Sequence, residues 1–141
     1  MALLPAKDRD IALSLFIMRA LITVFFLIWV ADKLFSPATS TRVFEAFYFS
    51  SPPVWLITAF GLAQLLVVLA FAAGVMRTVS YGAILLMHAT STLSTYERLL
   101  DPLARPNILF WAAVPVLGAV IALFLMRKRD VILNWEGRAA R

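Results

Sequence analysis

The sequence predicts an all-α protein: a transmembrane four-helix bundle with an amphipathic interfacial helix in its first outer loop. Three observations carry this. The 141 residues are 62% apolar and only 15% charged, and mean hydropathy is +0.89; a soluble domain runs nearer half apolar and a quarter charged. Four continuous apolar stretches are each about 20 residues long, the length that crosses a bilayer as helix. Transmembrane strands would need short alternating segments instead.

The first span covers residues 11–31. It is too long for the apolar core of a signal peptide, and Trp29 and Val30 stand where a cleavage site needs small residues. The loop after it is long. Ser36-Pro37 offers an N-cap followed by proline at the first helical position. Ser40, Val43, Phe44 and Phe47 then fall at i, i+3, i+4 and i+7, which predicts an amphipathic helix over 37–49 lying in the outer interface.

The second span covers 54–76 and the third, the least apolar, 78–96. Almost no loop separates them, so they form a tight antiparallel hairpin. The fourth covers 108–126. Pro115 within it cannot donate to the carbonyl of Trp111 and should bend the helix near mid-depth. Small residues at Ala59/Ala63, Ala70/Gly74 and Gly118/Ala122 suit close helix packing. A tail over 127–141 follows, and its stretch Val131 to Trp135 is placed on the inner surface.

Charge sets the orientation. Four spans put both termini on one side, with Lys7, Arg9, Arg77, Arg127, Lys128, Arg129, Arg138 and Arg141. The other side has Lys33, Arg42, Arg98 and Arg105. This bias makes the first side cytoplasmic. The excess positive charge is therefore a topology signal, and Arg127-Lys128-Arg129 reads as an anchor against anionic headgroups, not a nucleic-acid contact. Trp29, Trp55 and Trp111 fall near the outer ends of their spans, the depth tryptophan favours.

Composition also removes chemistries. There is no cysteine, hence no disulfide, thiolate or persulfide chemistry on this chain, and a single histidine allows no HExxH motif. No nucleophile or metal set accompanies His88, so catalysis by this chain alone is not expected.

The candidate site consists of polar residues inside the spans, where ionisable groups are costly. Arg19, Gln64 and His88 come from three spans and fall roughly 12–18 Å from the cytoplasmic boundary by helical rise. A bundle would bring them together as a mid-membrane polar cluster. His88, Ser91, Thr92 and Thr95 form a polar stripe on the third span. The structural alternative is hydrogen bonding that fixes helix register. A second, outer polar group is Asp32, Lys33, Tyr96, Glu97 and Arg98.

The chain resembles the DoxX-like family of small four-span bacterial membrane proteins. Span one carries Arg19 and ends in Asp32-Lys33-Leu34. Span two reads Gly61-Leu62-Ala63-Gln64 and runs to Gly74-Val75-Met76-Arg77. Gln64 stands where many relatives have glutamate, and an amide does not titrate. The resemblance implies the bacterial inner membrane and an accessory or anchoring subunit of a redox complex, with a quinone as candidate cofactor near Arg19 and His88. If the chain is part of an enzyme, that enzyme is a quinone-linked oxidoreductase. Two other readings stay open: an assembly protein without a ligand, which binds a protein partner, and a small transporter built as a homo-oligomer.

Overall fold

The computed structural model describes residues 6–48 and 50–135; positions 1–5, 49 and 136–141, among them Arg138 and Arg141, lie outside the described residues. The chain is helical, with no strand among the described residues. In order, α1 is Ala6–Phe35, α2 Pro37–Tyr48, α3 Val54–Ala73, α4 Arg77–Ser94, α5 Tyr96–Leu100 and α6 Ala113–Leu125, with a 3-10 helix at Asn107–Ala112 before α6. Three segments are long and apolar enough to cross a membrane: Asp8–Phe35, Val54–Ala73 and Asn107–Leu125.

The helices pack in a ring. α1 lies on α3, α3 on α4, α4 on α6, and α6 returns to α1. Each long helix turns one stripe inward. In α1 that stripe is Ala12, Leu15, Arg19, Ile22, Phe26 and Val30, at the three- and four-residue steps of one helix face. On the opposite face Leu13, Ile17, Leu21, Val24 and Ile28 are exposed, with polar side chains only near its start, at Asp10 and Ser14. α3 repeats the pattern, with Ile57, Gly61, Val68 and Phe71 inside and Leu62, Leu66 and Leu69 outside. Water would penalise such faces heavily, at roughly 25 cal/mol per Å² left exposed. Lipid does not.

α4 differs, and the difference explains why composition alone does not mark it as a span. Its inward residues include Ser80, Tyr81, His88 and Thr92, with Ile84 between them. Its exposed large apolar side chains are Val79, Leu86 and Leu93, spaced by seven on one face. Buried polar side chains, with Thr78, Thr90 and Ser91 exposed as well, dilute its average.

The α3–α4 hairpin is as tight as expected. Gly74 caps α3 in the left-handed conformation (φ 65°), and α4 starts at Arg77 after Met76, also left-handed. At the opposite end, Gly61 lets α3 approach α1 closely: a methyl group there would lie 2.9 Å from Leu34 Cδ2. The small-residue pattern in α6 has no such role, since nothing lies within 4 Å of a methyl at Gly118.

α2 begins at Pro37, with the Ser36 carbonyl accepting from Thr39 N–H at 2.9 Å. Its apolar face turns onto the other helices. Phe44 stacks parallel on Phe60 of α3 with centroids 6.2 Å apart, and Phe47 meets Phe110 at 5.6 Å. Ser40, buried, donates to Asp32 of α1 at 2.6 Å.

The expected bend at Pro115 takes another form. Residues 107–112 are 3-10 helix, and Pro115 is the third residue of α6. A proline in the first turn displaces no helical hydrogen bond, because those N–H groups have no intrahelical acceptor anyway. The irregularity therefore lies in the segment before the proline.

Candidate functional site

The helix ends near the α3–α4 hairpin are closed by the segment that follows α6. The sequence reading laid residues 131–135 on the inner surface. In the fold, residues 130–135 turn one side to the helices, burying the polar side chains of Asp130 and Asn134, both 0% exposed, and leave Leu133 and Trp135 exposed on the other. A polar node forms around Asp130 and Asn134.

Arg19 is its centre. It belongs to the inward stripe of α1 and is 2% exposed. Helical side chains lean toward their own N-terminus, which aims the guanidinium at this end of the bundle. Its Nε lies 2.9 Å from Asp130 Oδ2. Its Nη groups donate to the carbonyls of Ala72, in the last turn of α3, and Ile132. Both also reach the Leu133 carbonyl at 3.3 Å. One cation thus ties α1, the end of α3 and the returning segment together.

Tyr81 of α4 completes the arrangement. Its hydroxyl donates to Asp130 Oδ2 at 2.6 Å and accepts from Asn134 Nδ2 at 3.2 Å. Its ring packs edge-on against Phe71 of α3 at 4.7 Å. Asp130 Oδ1 is buried with no hydrogen-bond partner among the described residues, so the carboxylate is held through one oxygen. Gly74 provides the room for Asn134, since a methyl there would lie 2.2 Å from its Nδ2.

Arg77 secures the turn after α6. Its Nη1 donates to the carbonyls of Arg127 (3.1 Å), Asp130 (3.3 Å) and Lys128 (3.4 Å). These carbonyls belong to the turn after the helix, outside its hydrogen-bond ladder. Arg127 folds back, donating to the Phe124 carbonyl at 2.8 Å and to Thr78 Oγ1 at 3.2 Å. Arg129 pairs at 3.0 Å with Asp8 on an exposed surface, where such pairs are worth about 0–1 kcal/mol.

The expected cluster of Arg19, Gln64 and His88 is not joined by hydrogen bonds. Arg19 faces Asp130. His88 is buried further along α4, its Nε2 3.0 Å from the Ala113 carbonyl of α6. The rings of Phe25 and Phe26 of α1 surround it at 5.6 and 6.2 Å. Gln64 is half-buried on α3 and bonds neither of them. Of the stripe on α4, Thr92 is buried and donates to the His88 carbonyl at 2.8 Å, whereas Ser91 is exposed. The stripe therefore continues toward Tyr81 rather than toward Ser91.

The outer polar group divides in the same way. Asp32 serves Ser40. Lys33 donates to the Trp29 carbonyl at 3.3 Å and lies 5.7 Å from the Trp29 ring centre. Tyr96 donates to Glu97 at 3.2 Å, and with Arg98 these are exposed on α5. Near them Pro102, Leu103, Arg105, Pro106, Ile108 and Leu109 line a shallow, open groove.

Sequence reasoning missed Asp130, Tyr81 and Asn134. One signal was available. Asp130 is the acid at the end of a basic run, directly before an apolar stretch. Tyr81 lies seven residues before His88, on the same face of α4.

No metal-binding group of three or more His, Cys, Asp or Glu occurs among the described residues. No family model, no curated protein and no solved structure matches the chain.

Proposed function

We propose that this protein is an integral membrane anchoring subunit, a four-helix transmembrane bundle of α1, α3, α4 and α6 with α2 at the outer interface. Both termini face the cytoplasm of a bacterial inner membrane. One observation carries the reading: large apolar side chains point outward on all four helices, while Arg19 of α1 and Ser80, Tyr81, His88 and Thr92 of α4 are buried between them. That inverts the surface of a water-soluble bundle and suits lipid.

An anchoring role follows from what the interior polar groups do. Arg19, Asp130, Tyr81 and Asn134 bind one another, and His88 binds a carbonyl of α6. Buried ionisable groups of a carrier would instead line a water-filled path. The redox character of the assembly rests on the DoxX-like resemblance, with Arg19 and the Gly61-to-Arg77 stretch as its motifs. A quinone would bind beside His88 only if Phe25 and Phe26 moved apart.

The test is purification in mild detergent, with partner identification by mass spectrometry, an absorption spectrum and lipid extraction. A co-purifying partner retained by wild type supports an anchoring subunit. A protein with no partner at native expression level refutes it. Quinone in the extract that disappears in His88→Ala supports the quinone-linked form, and its absence from wild type removes that form.

A further inference from the structure

The segment after α6 has two faces of opposite character. Its inward face is polar: the buried side chains are Asp130 and Asn134. The backbone carbonyls of Ile132 and Leu133 also point inward, to Arg19. Those of Arg127, Lys128 and Asp130 point to Arg77. With the carbonyls committed to the interior, two apolar side chains go the other way, while Val131 and Ile132 are half-buried. Leu133 is 59% exposed and Trp135 67%. Leu133 holds a left-handed backbone (φ 45°) in doing so, a conformation unfavourable for a γ-branched residue. An ordinary docked tail would bury its leucine and tryptophan and expose its aspartate and asparagine. Here the order is reversed.

We propose that residues 127–135 form a strap that binds the anionic lipid headgroups of the inner leaflet through its outward face. Lys128 and Arg129 contact the phosphates, and Leu133 and Trp135 enter the headgroup–acyl boundary. The proposal rests on the membrane reading above. Two further observations select lipid as the occupant. Exposed apolar side chains stand on both sides of the basic run, Leu125 at the end of α6 (71% exposed) before it and Leu133 and Trp135 after it. Within the run Lys128 and Arg129 are both exposed, with Arg129 sharing its charge with Asp8. Cations next to a tryptophan and a leucine, at the end of a lipid-facing helix, match the chemistry of an anionic interface. The Arg19–Asp130 pair and Asn134 fix the strap from within, so the outward face is presented in one orientation.

The test uses the full chain reconstituted in phosphatidylcholine vesicles, with and without phosphatidylglycerol, carrying bromine on the acyl chains near the headgroup. Trp135 emission is taken as the difference between wild type and Trp135→Phe. The proposal expects Trp135 to be quenched by bromolipid and protected from aqueous acrylamide. It expects phosphatidylglycerol to increase the quenching, and Lys128→Gln/Arg129→Gln to abolish that increase. Three results overturn it: quenching of Trp135 by acrylamide alone, quenching by neither agent, as under a covering protein, and bromolipid quenching indifferent to phosphatidylglycerol. Failure of the membrane reading looks different, because the protein would then not float with the vesicles at all. If Trp135→Phe folds poorly, bromolipid quenching in a variant with Trp29, Trp55 and Trp111 replaced by phenylalanine supplies the same readout.

Discussion

Arg19 and Asp130 form an ion pair, Nε to Oδ2 at 2.9 Å, between the first helix and the segment after the last. Both groups are removed from solvent, one 2% and the other 0% exposed. The pair is therefore not a surface decoration. It ties the middle of α1 to the segment after α6, close to the end of α3 through the Arg19 bond to the Ala72 carbonyl.

Removing one partner should cost far more than removing both. A buried charge left alone typically costs about 3–5 kcal/mol, whereas an apolar replacement of the whole pair is often neutral. Arg19→Met and Asp130→Leu are each expected to lower stability by that amount, and Arg19→Met/Asp130→Leu to cost less than the sum of the two, with only part recovered because the Ala72, Ile132 and Leu133 carbonyls still lose their donor. Thermal unfolding in detergent, arranged as a double-mutant cycle, measures the coupling. Additive losses would show that the two side chains act independently.

Tyr81→Phe should be milder. It removes a donor to Asp130 and an acceptor for Asn134, but leaves the Arg19–Asp130 pair and the ring contact with Phe71 intact. The expected loss is about 1–3 kcal/mol, the usual result of leaving buried polar groups short of a partner. The diagnostic readout is local. Hydrogen exchange should rise in residues 130–135 and stay unchanged in α2.

These residues also show what a sequence makes legible. α1, α3 and the segment ending in α6 are legible from composition, because their outer sides are apolar and a run of about 20 residues stands out, whereas the polar inner side of α4 weakens its signal. The α2 helix is read from Ser36-Pro37 and the spacing of Ser40, Phe44 and Phe47. Depth arithmetic placed Arg19 beside Gln64 and His88, but it ignored the length and lean of the arginine side chain, which reaches the helix ends. Asp130 escaped because a basic run beside a span is read as headgroup contact, and a single acid within it looks like solvated surface. The return of the strap depends on Arg19 capturing backbone carbonyls, and carbonyls leave no mark in a sequence.

Gly74 and Gly118 should respond in opposite directions to alanine. At Gly74 the backbone is left-handed and the new methyl would collide with Asn134. Gly74→Ala should therefore destabilise, by roughly 1–2 kcal/mol for the backbone conformation before the collision is counted. Gly118 lies within α6 with open space around it. Gly118→Ala should stabilise the helix by up to about 1 kcal/mol. Parallel thermal unfolding of the two variants checks both signs. A stabilising Gly74→Ala would mean that Asn134 does not occupy the place beside the hairpin.

His88 holds α4, α6 and α1 at one point, through the Ala113 carbonyl and the rings of Phe25 and Phe26. If packing and this bond are its work, shape should matter more than titration. His88→Gln keeps a donor and much of the volume, so a small loss below about 1 kcal/mol is expected, close to the average for a hydrogen bond between membrane helices. His88→Ala leaves a cavity between aromatic rings and should cost about 2–4 kcal/mol, as large-to-small changes in packed interiors do. Partner recovery in the same preparations separates structure from chemistry. A His88→Gln protein that is stable yet loses its partner or bound quinone would assign the imidazole a functional role that its contacts in the fold do not require.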